Sequence, residues 1–566
     1  MESRRSPAKT IRGGAGLDLI LLVSLFAASL AVRWLYIQAV VFPPLDDPAF
    51  YLTTAENIVE GRGLEVDVLW SYQVVFPNVT HPSHEHWMPL TTGLIAAAFA
   101  IQRAVTGSLE AMLRTGQMPG FILGALLAPI TYLFGRRVLP QGKDNRWVSL
   151  GAASLVVINA TLSYQSASAD SSAIYALIAF GALAVSVRRP GEQGGYLGAG
   201  LLVALAYLTR ADALLLLVAI PLAWWLLPPA ARTVVEIPDT PAARLAWERW
   251  PRQQWTKEDE PGPAGPGLRH VVDLFVAFAL VVTPWLIRNY LAFGTPLPSS
   301  ILNQAWLTAY VDTFNYLSHP TPDTWLTQPW PVILDQRLQA LANNGRVLLL
   351  GTFPWGLLAL PGMWLLRRES WFFPSVVYGV LLFFGVALIF PVSAMFGTFY
   401  HSFGAVVPFL ALAAMYAVER GSRLLRRRGS LARFAFISVG IALLALGGWQ
   451  VLQSLSAVGE RHSAEKAQFE AAAVWLAQNA ESGDVVMTTQ PYTLNYVSGH
   501  PTIVLPGNEP PDAAWQAAQR YNARFLIVTQ PFGLYPEILE AQPDPRFQLV
   551  SENEGNRICE IGGGQP

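Results

Sequence analysis

The chain has 566 residues, 52% hydrophobic and only 14% charged, with a net charge of −1. Soluble domains carry about 25% charged residues, so the deficit, with a mean hydropathy of +0.34, excludes an ordinary soluble enzyme and points to a polytopic membrane protein. The near-neutral balance gives no electrostatic footprint for nucleic acid, and the single cysteine, Cys559, excludes an intramolecular disulfide framework.

In chain order, a basic start (Arg4, Arg5, Lys9, Arg12) precedes the apolar run 17–40. That run is longer than a signal-peptide core of about 7–15 residues. It reads as a retained first span with the N-terminus cytoplasmic. Further segments apolar enough to span, at about 20 residues each, are 117–139, 147–166, 171–187, 195–209, 212–229, 271–288, 345–366, 371–391, 403–419 and 433–453. The region 88–106 is also apolar, and the positive-inside rule decides its reading. Arg136, Arg137, Lys143 and Arg146, the pair Arg188 and Arg189, the pair Arg367 and Arg368, and "RLLRRRGSLARF" (Arg423 to Phe434) all fall on the side of the N-terminus only if 88–106 does not cross. The expectation is about eleven spans in a domain 1–455, with 88–106 interfacial or re-entrant; crossing by 88–106 gives the alternative of twelve or more. This places the loop 41–116, the turns at 167–172, 209–212 and 392–402, the stretch 288–344 and the C-terminus outside. The segment 230–270, with "EDEPGPAGPG", reads as a cytoplasmic linker with an amphipathic piece. No short repeat of fixed period is present.

The tail 461–566 has a different composition. "AEKAQFEAAAVWLAQNA" has helical periodicity, and "DVVMTT", "TIVLP" and "RFLIVTQ" are short apolar strands bounded by Gly, Pro and Asp. Alternating helix and strand predicts a small extracytoplasmic α/β domain. The fold class is therefore a polytopic α-helical membrane protein with a small C-terminal α/β domain.

Most ionisable residues avoid span centres, where each costs about 2.5–3.5 kcal/mol on insertion scales, and collect at the outer ends instead. Asp46 and Asp47 follow the first span, Asp170 sits in "SASADSSA", Arg210 and Asp212 in "YLTRADALL", Arg288 in "TPWLIRNYLAFGTPLPSS" and His401 in "FGTFYHSFG". Taken singly each has an ordinary reading. Asp47 can cap a helix starting at Pro48, Asp170 can cap the next helix, Arg210 and Asp212 can be interfacial charges, and Arg288 can snorkel toward headgroups. Capping accounts for one aspartate of the pair but not for both. In "HPSHEHWMPL", His81, His84, Glu85 and His86 have ligand chemistry for a divalent metal but match no metal-binding spacing. The first reading is a polar, aromatic-flanked loop, with metal binding the alternative.

The sequence resembles the GT-C glycosyltransferases, nearest to the bacterial branch related to protein mannosyltransferases and aminoarabinose transferases. "DDPAFYLTTAENIVEGRGL" is similar to the opening of that family's first extracytoplasmic loop. "HPSHEHWMPLTTGLI", "LFGRRV", the turn at Asp170, "LTRADALLLL" and "PWLIRNYLAFGTPLPSS" follow in the family's order, over roughly residues 10–420. Three departures stand out. "HPSHEH" replaces a simpler His-Pro-Pro, Asp212 stands where Glu is commoner, and "TFYHSFG" stands in place of an Arg-Tyr-Leu-Pro-like segment. The resemblance implies transfer of a sugar from a polyprenyl-phosphate donor, in the cell membrane, to an acceptor lipid, glycan or protein on the extracytoplasmic face, with inversion and without a required cofactor or metal. It implies Asp46 as general base and Asp47 as its partner; such a base contributes about 10²–10⁴-fold, and adjacent carboxylates raise each other's proton affinity. Asp170, Asp212, His81 and His401 are expected as substrate contacts, and Arg210 and Arg288 as phosphate contacts, since guanidinium forks match phosphate oxygens. The rival classes are a transporter, which predicts midplane charges and paired broken helices, and a non-catalytic scaffold whose tail binds a partner.

Overall fold

The computed structural model describes residues 12–109, 111–139, 143–186, 195–226, 268–297, 303–367, 369–426, 431–529 and 544–562. The expected linker 230–270 lies almost entirely outside the described residues. Among the described residues, four helices are long and apolar enough to cross a membrane: Gly16–Ala39, Met112–Val138, Leu268–Phe293 and Ser438–Asn479. Four shorter apolar helices (Ser172–Ser186, Gly195–Thr209, Ala211–Leu226, Phe373–Ile389) accompany them. At 1.5 Å per residue, 15 residues cover about 22 Å, less than the roughly 30 Å of a hydrocarbon core, so length alone does not make these four spans. The helix Pro89–Thr106 is not among either group.

Three expected straight segments are broken. Asn145–Val157 and Ala160–Ala167 meet at 52°, Trp330–Thr352 and Gly356–Leu366 at 99°, and Thr398–Ala405 and Val407–Leu424 at 57°. The causes are local. Asn159 caps the second half of its pair, accepting from Leu162 N–H at 2.9 Å, while its amide donates to the Gly351 carbonyl at 2.7 Å. Pro354 has no N–H to continue the preceding helix.

Small residues let backbones approach. A Cβ at Gly362 would run into the Ala413 carbonyl, and one at Gly200 into the Leu274 carbonyl. Such close packing suits helices whose association lipid does not drive hydrophobically. Within the first helix the buried Arg33 is held by Ser29 Oγ (2.5 Å) and Ser166 Oγ (3.1 Å), a charge inside an apolar run that hydropathy reading passed over.

The helix Leu431–Asn479 runs unbroken for 49 residues, about 70 Å, from the bundle into the tail. Phe469 on it stacks on Phe42 at 5.7 Å. A six-stranded sheet follows in the order β2 (Val68–Leu69), β5 (Thr502–Val504), β4 (Val485–Thr488), β6 (Ala523–Val528), β8 (Asn556–Ile561), β7 (Phe547–Asn553). Strands β4, β5 and β6 are parallel, and β7 and β8 add an antiparallel hairpin. The edge strand β2 is Val68–Leu69, from the loop after the first helix, paired in parallel with Thr502 and Ile503. The same loop forms a second, two-stranded sheet from β1 (Glu65–Val66) and β3 (His81–Pro82). The tail sheet is thus completed by loop 41–116, and one apolar core runs through both: Phe50 meets Tyr492 at 5.1 Å and Trp87 meets it at 5.4 Å. The segment between β4 and β5 carries a helix, Pro491–Ser498.

Candidate active site

The Pro43–Pro44 pair brings the chain to Leu45, whose φ of 61° is left-handed. The helix Asp46–Val59 begins immediately, with Leu45 at the N-cap and both aspartates in the first turn. Asp47 therefore does not cap a helix starting at Pro48. Successive helical residues point about 100° apart, so the two carboxylates face different surroundings.

Asp46 faces the tail. Its Oδ1 accepts from the Thr493 N–H at 3.0 Å and Oγ at 3.2 Å. These groups open the helix Pro491–Ser498, whose own N-cap residue, Gln490, supplies no side-chain bond. Asp46 serves as a cap in trans, filling an orphan donor at a helix N-terminus. Burial raises its pKa to about 7, against the Thr493 bonds and with a smaller push from Asp47.

Asp47 faces the bundle. Trp87 lies beside its side chain, and its charged neighbours are Asp170, His401 and Arg210. Burial raises its pKa, Asp170 adds to the rise, and His401 and Arg210 oppose it.

Asp170 occupies the turn before the helix Ser172–Ser186, preceded by Ala169 at φ 55°. It accepts from Ser171 N–H (2.5 Å), Ser171 Oγ (3.0 Å) and Ser172 Oγ (2.7 Å), and its Oδ2 lies 3.0 Å from His401 Nδ1. Burial acts to raise Asp170, but His401 and Arg210 hold its carboxyl well below the usual range. Arg210 donates from Nε to Asp212 Oδ1 and Ser402 Oγ, and from Nη1 to Ser171 Oγ, each at 3.2 Å. Ser402 in turn bonds Asp212. Segments far apart in the chain thus bring Asp47, Asp170, Arg210, Asp212 and His401 into one network, with Tyr51 as a further neighbour of Asp47, Asp170 and Arg210.

Arg288 and the histidine segment lie beside this network rather than in it. The Arg288 guanidinium stands 5.0 Å from the Trp285 ring centre and 5.1 Å from that of Phe293, bonds Asn289 at 3.3 Å, and has Glu85 as its charged neighbour. His81 Nδ1 pairs with the Val79 carbonyl at 2.7 Å, its ring lies 3.8 Å from that of Phe76, and its Nε2 is 3.9 Å from Glu85. His84, at φ 70°, uses both ring nitrogens, on Ser83 (2.7 Å) and Thr92 (3.0 Å). Burial, reinforced by Arg288, lowers its pKa to about 3; His86 falls to about 4 through burial, partly offset by Glu85. The alternative set His81, His84, Glu85 and His86 does not form a ligand set: His84 has no lone pair left for a metal, and among the described residues no three His, Cys, Asp or Glu side chains are grouped to hold one.

Three of the non-glycine residues with left-handed φ, Leu45, His84 and Ala169, immediately precede Asp46, Glu85 and Asp170. Backbone strain of this kind concentrates at functional sites. Sequence reading missed Tyr51, Trp87, Ser171, Ser172, Ser402 and Thr493. The serines flanking Asp170 were a visible signal, and Thr493 had none.

Comparison with known proteins gives no matching family model and no matching curated protein. Solved structures do match. ArnT from Cupriavidus metallidurans bound to undecaprenyl phosphate superposes with a TM-score of 0.56 at 13% identity, over 95% of this chain and 97% of that one. The apo form gives 0.53 at 12% identity over 97% and 99%. The archaeal oligosaccharyltransferase AglB from Archaeoglobus fulgidus, in complex with an inhibitory peptide and a dolichol-phosphate, gives 0.54 at 14% identity over 91% and 69%. A mostly helical body completed by a small C-terminal sheet region, together with these neighbours, establishes that the chain has the fold of the GT-C membrane glycosyltransferases.

Proposed function

We propose that the protein is a membrane glycosyltransferase that moves a sugar from a polyprenyl-phosphate donor to an acceptor on the extracytoplasmic face. The observation that carries this reading is the convergence of Asp47, Asp170, Arg210, Asp212 and His401 at one partly buried network within a GT-C fold. The neighbours' polyprenyl-type phosphates, undecaprenyl in ArnT and dolichol in AglB, support a donor of the same class.

The chemistry needs a base, a fixed anion and a cation. Asp47, whose proton affinity burial raises, takes the proton from the acceptor hydroxyl or amine. The freed lone pair attacks the anomeric carbon, the bond from that carbon to the phosphate oxygen breaks, and the polyprenyl phosphate leaves with the electron pair. Attack opposite the leaving group inverts the anomeric centre. Asp170 stays ionised beside His401 and Arg210, so the two carboxylates are pushed in opposite directions, the pattern expected of groups with distinct roles. Asp170 orients the acceptor or sugar, with Asp212 holding Arg210 in place. Arg288, half-exposed at the end of its helix, meets the phosphate, and Arg210 contributes its charge from within. Asp46 holds the tail rather than the reacting atoms.

The test is native mass spectrometry of the purified full-length protein, followed by incubation with a panel of polyprenyl-phosphate sugars. We expect a bound polyprenyl phosphate and release of free polyprenyl phosphate from at least one donor. Ordinary phospholipids alone, with no donor bound or cleaved, would overturn the reading.

A further inference from the structure

Loop 41–116, the segment 303–329 and the tail helix Pro511–Tyr521 enclose a shallow cavity of about 200 Å³ lined by Tyr72, Val75, Tyr316, Leu317, Arg520 and Tyr521. Drug-sized ligands occupy roughly 300–1,000 Å³, so this cleft suits one small ring. Its walls are fixed. Tyr72 Oη donates to the Val504 carbonyl at 2.5 Å, and Tyr521 Oη to the Phe76 carbonyl at 3.0 Å. The rings of Tyr72 and Tyr316 meet edge to face at 5.1 Å, and Tyr72 stacks on Tyr521 at 6.3 Å. The Tyr316–Leu317 wall is gripped by buried Glu509, whose carboxylate accepts the N–H groups of Tyr316, Leu317 and Ser318 and the Ser318 hydroxyl. Arg520 lies with its guanidinium 5.4 Å from the Tyr521 ring centre. At the lip, Val75 and Leu317 are 61% and 49% exposed.

We propose that this cleft binds a saccharide unit of the acceptor. A pyranose ring presents an apolar C–H face and a rim of hydroxyls. Tyrosine rings and aliphatic lips match the face, and a guanidinium matches the rim. Tyrosines held by hydrogen bonds lose little entropy on contact, which favours a weakly binding ring. A lipid tail would leave Arg520 facing hydrocarbon.

The cleft is joined to the catalytic network by a second aromatic rung. Two residues back along each wall, Trp70 and Phe314 meet edge to face at 5.1 Å, and Trp70 meets Trp87 at 4.8 Å. Trp87 lies beside Asp47. Trp70, Phe314 and Trp87 are buried, and Trp87 stacks on Phe50 at 4.3 Å, so this rung is packed core that holds the cleft walls against the helix carrying Asp47. The inference rests on the transferase reading and narrows its acceptor to a glycan or glycan-bearing molecule.

The test is saturation-transfer NMR on the full-length protein in detergent, with manno-, gluco-, galacto- and galacturono-trisaccharides at about 10 mM, a concentration that detects millimolar affinity. We expect signals from at least one probe, weakened about tenfold, equivalent to about 1.4 kcal/mol, by Tyr316→Ala and by Arg520→Ala in protein whose melting midpoint is unchanged. Asp47→Asn should keep the signals while losing transfer. No signal from any probe, or signals indifferent to both cleft substitutions, overturns the proposal. Saccharide binding without donor cleavage by wild type would sink the transferase reading and leave the cleft standing.

Discussion

Substituting the two adjacent aspartates one at a time separates a structural carboxylate from a chemical one. In Asp46→Asn the amide oxygen still accepts from Thr493, so the tail stays capped. What disappears is a buried ionisation. The folded Asp46 carboxyl holds its proton until about pH 7, while the unfolded one releases it near its ordinary value of 3.8. Between these values the unfolded state binds fewer protons, so wild-type stability falls as pH rises and levels off above about pH 7. At about 1.4 kcal/mol per tenfold in proton affinity, the penalty reaches about 4 kcal/mol above pH 7 and is under about 2 kcal/mol at about pH 5. Asp46→Asn should therefore melt higher than wild type at about pH 8, with the gap shrinking toward about pH 5. Its transfer rate should stay within about threefold of wild type. Asp47→Asn should lose about 10²–10⁴-fold in turnover while keeping donor binding. The assays are fluorescence-monitored melting against pH and release of polyprenyl phosphate. If Asp46→Asn abolishes turnover with donor still bound, or if its melting follows the wild-type pH curve, the division of roles is wrong.

Three further outcomes follow from the same geometry. His401→Ala removes a partner that opposes the rise of the Asp47 pKa, so the acidic limb of the pH–rate profile, set by the base, should move to higher pH; an unmoved limb would show that Asp47 does not set it. Glu509→Ala strips the acceptor from three backbone N–H groups, at about 1–3 kcal/mol for each left unsatisfied, and limited proteolysis should then cut within 303–329; wild-type protection of that segment would contradict the grip. Gly362→Ala should lower the yield of folded protein because its Cβ has no room against the Ala413 carbonyl, whereas Gly421→Ala, with open space around it, should not. Equal yields would argue against that helix contact.

Much of the architecture was legible in the residues alone. The apolar runs that make the helices, the collection of charges at their ends and the alternation of helix and strand in β4, β5 and β6 are all local properties, written in side-chain hydropathy at fixed spacing. So is the identity of Asp47, Asp170, Arg210, Asp212 and His401 as residues too costly to place casually near an apolar bundle. The breaks at Asn159 and Pro354 were partly legible, since each carries a residue that caps or interrupts a helix. The tertiary structure decided the rest. Which aspartate faces the network depends on Thr493 arriving, 447 positions later in the chain, to occupy Asp46. Loop 41–116 supplies an edge strand to the tail sheet because β2 finds a partner in β5, and two residues of strand are too short to announce themselves. His84 is spent on Ser83 and Thr92, which spacing along the chain does not show. Direction is the common reason: hydropathy fixes whether a side chain is buried, while its partner is set by elements that only folding brings alongside.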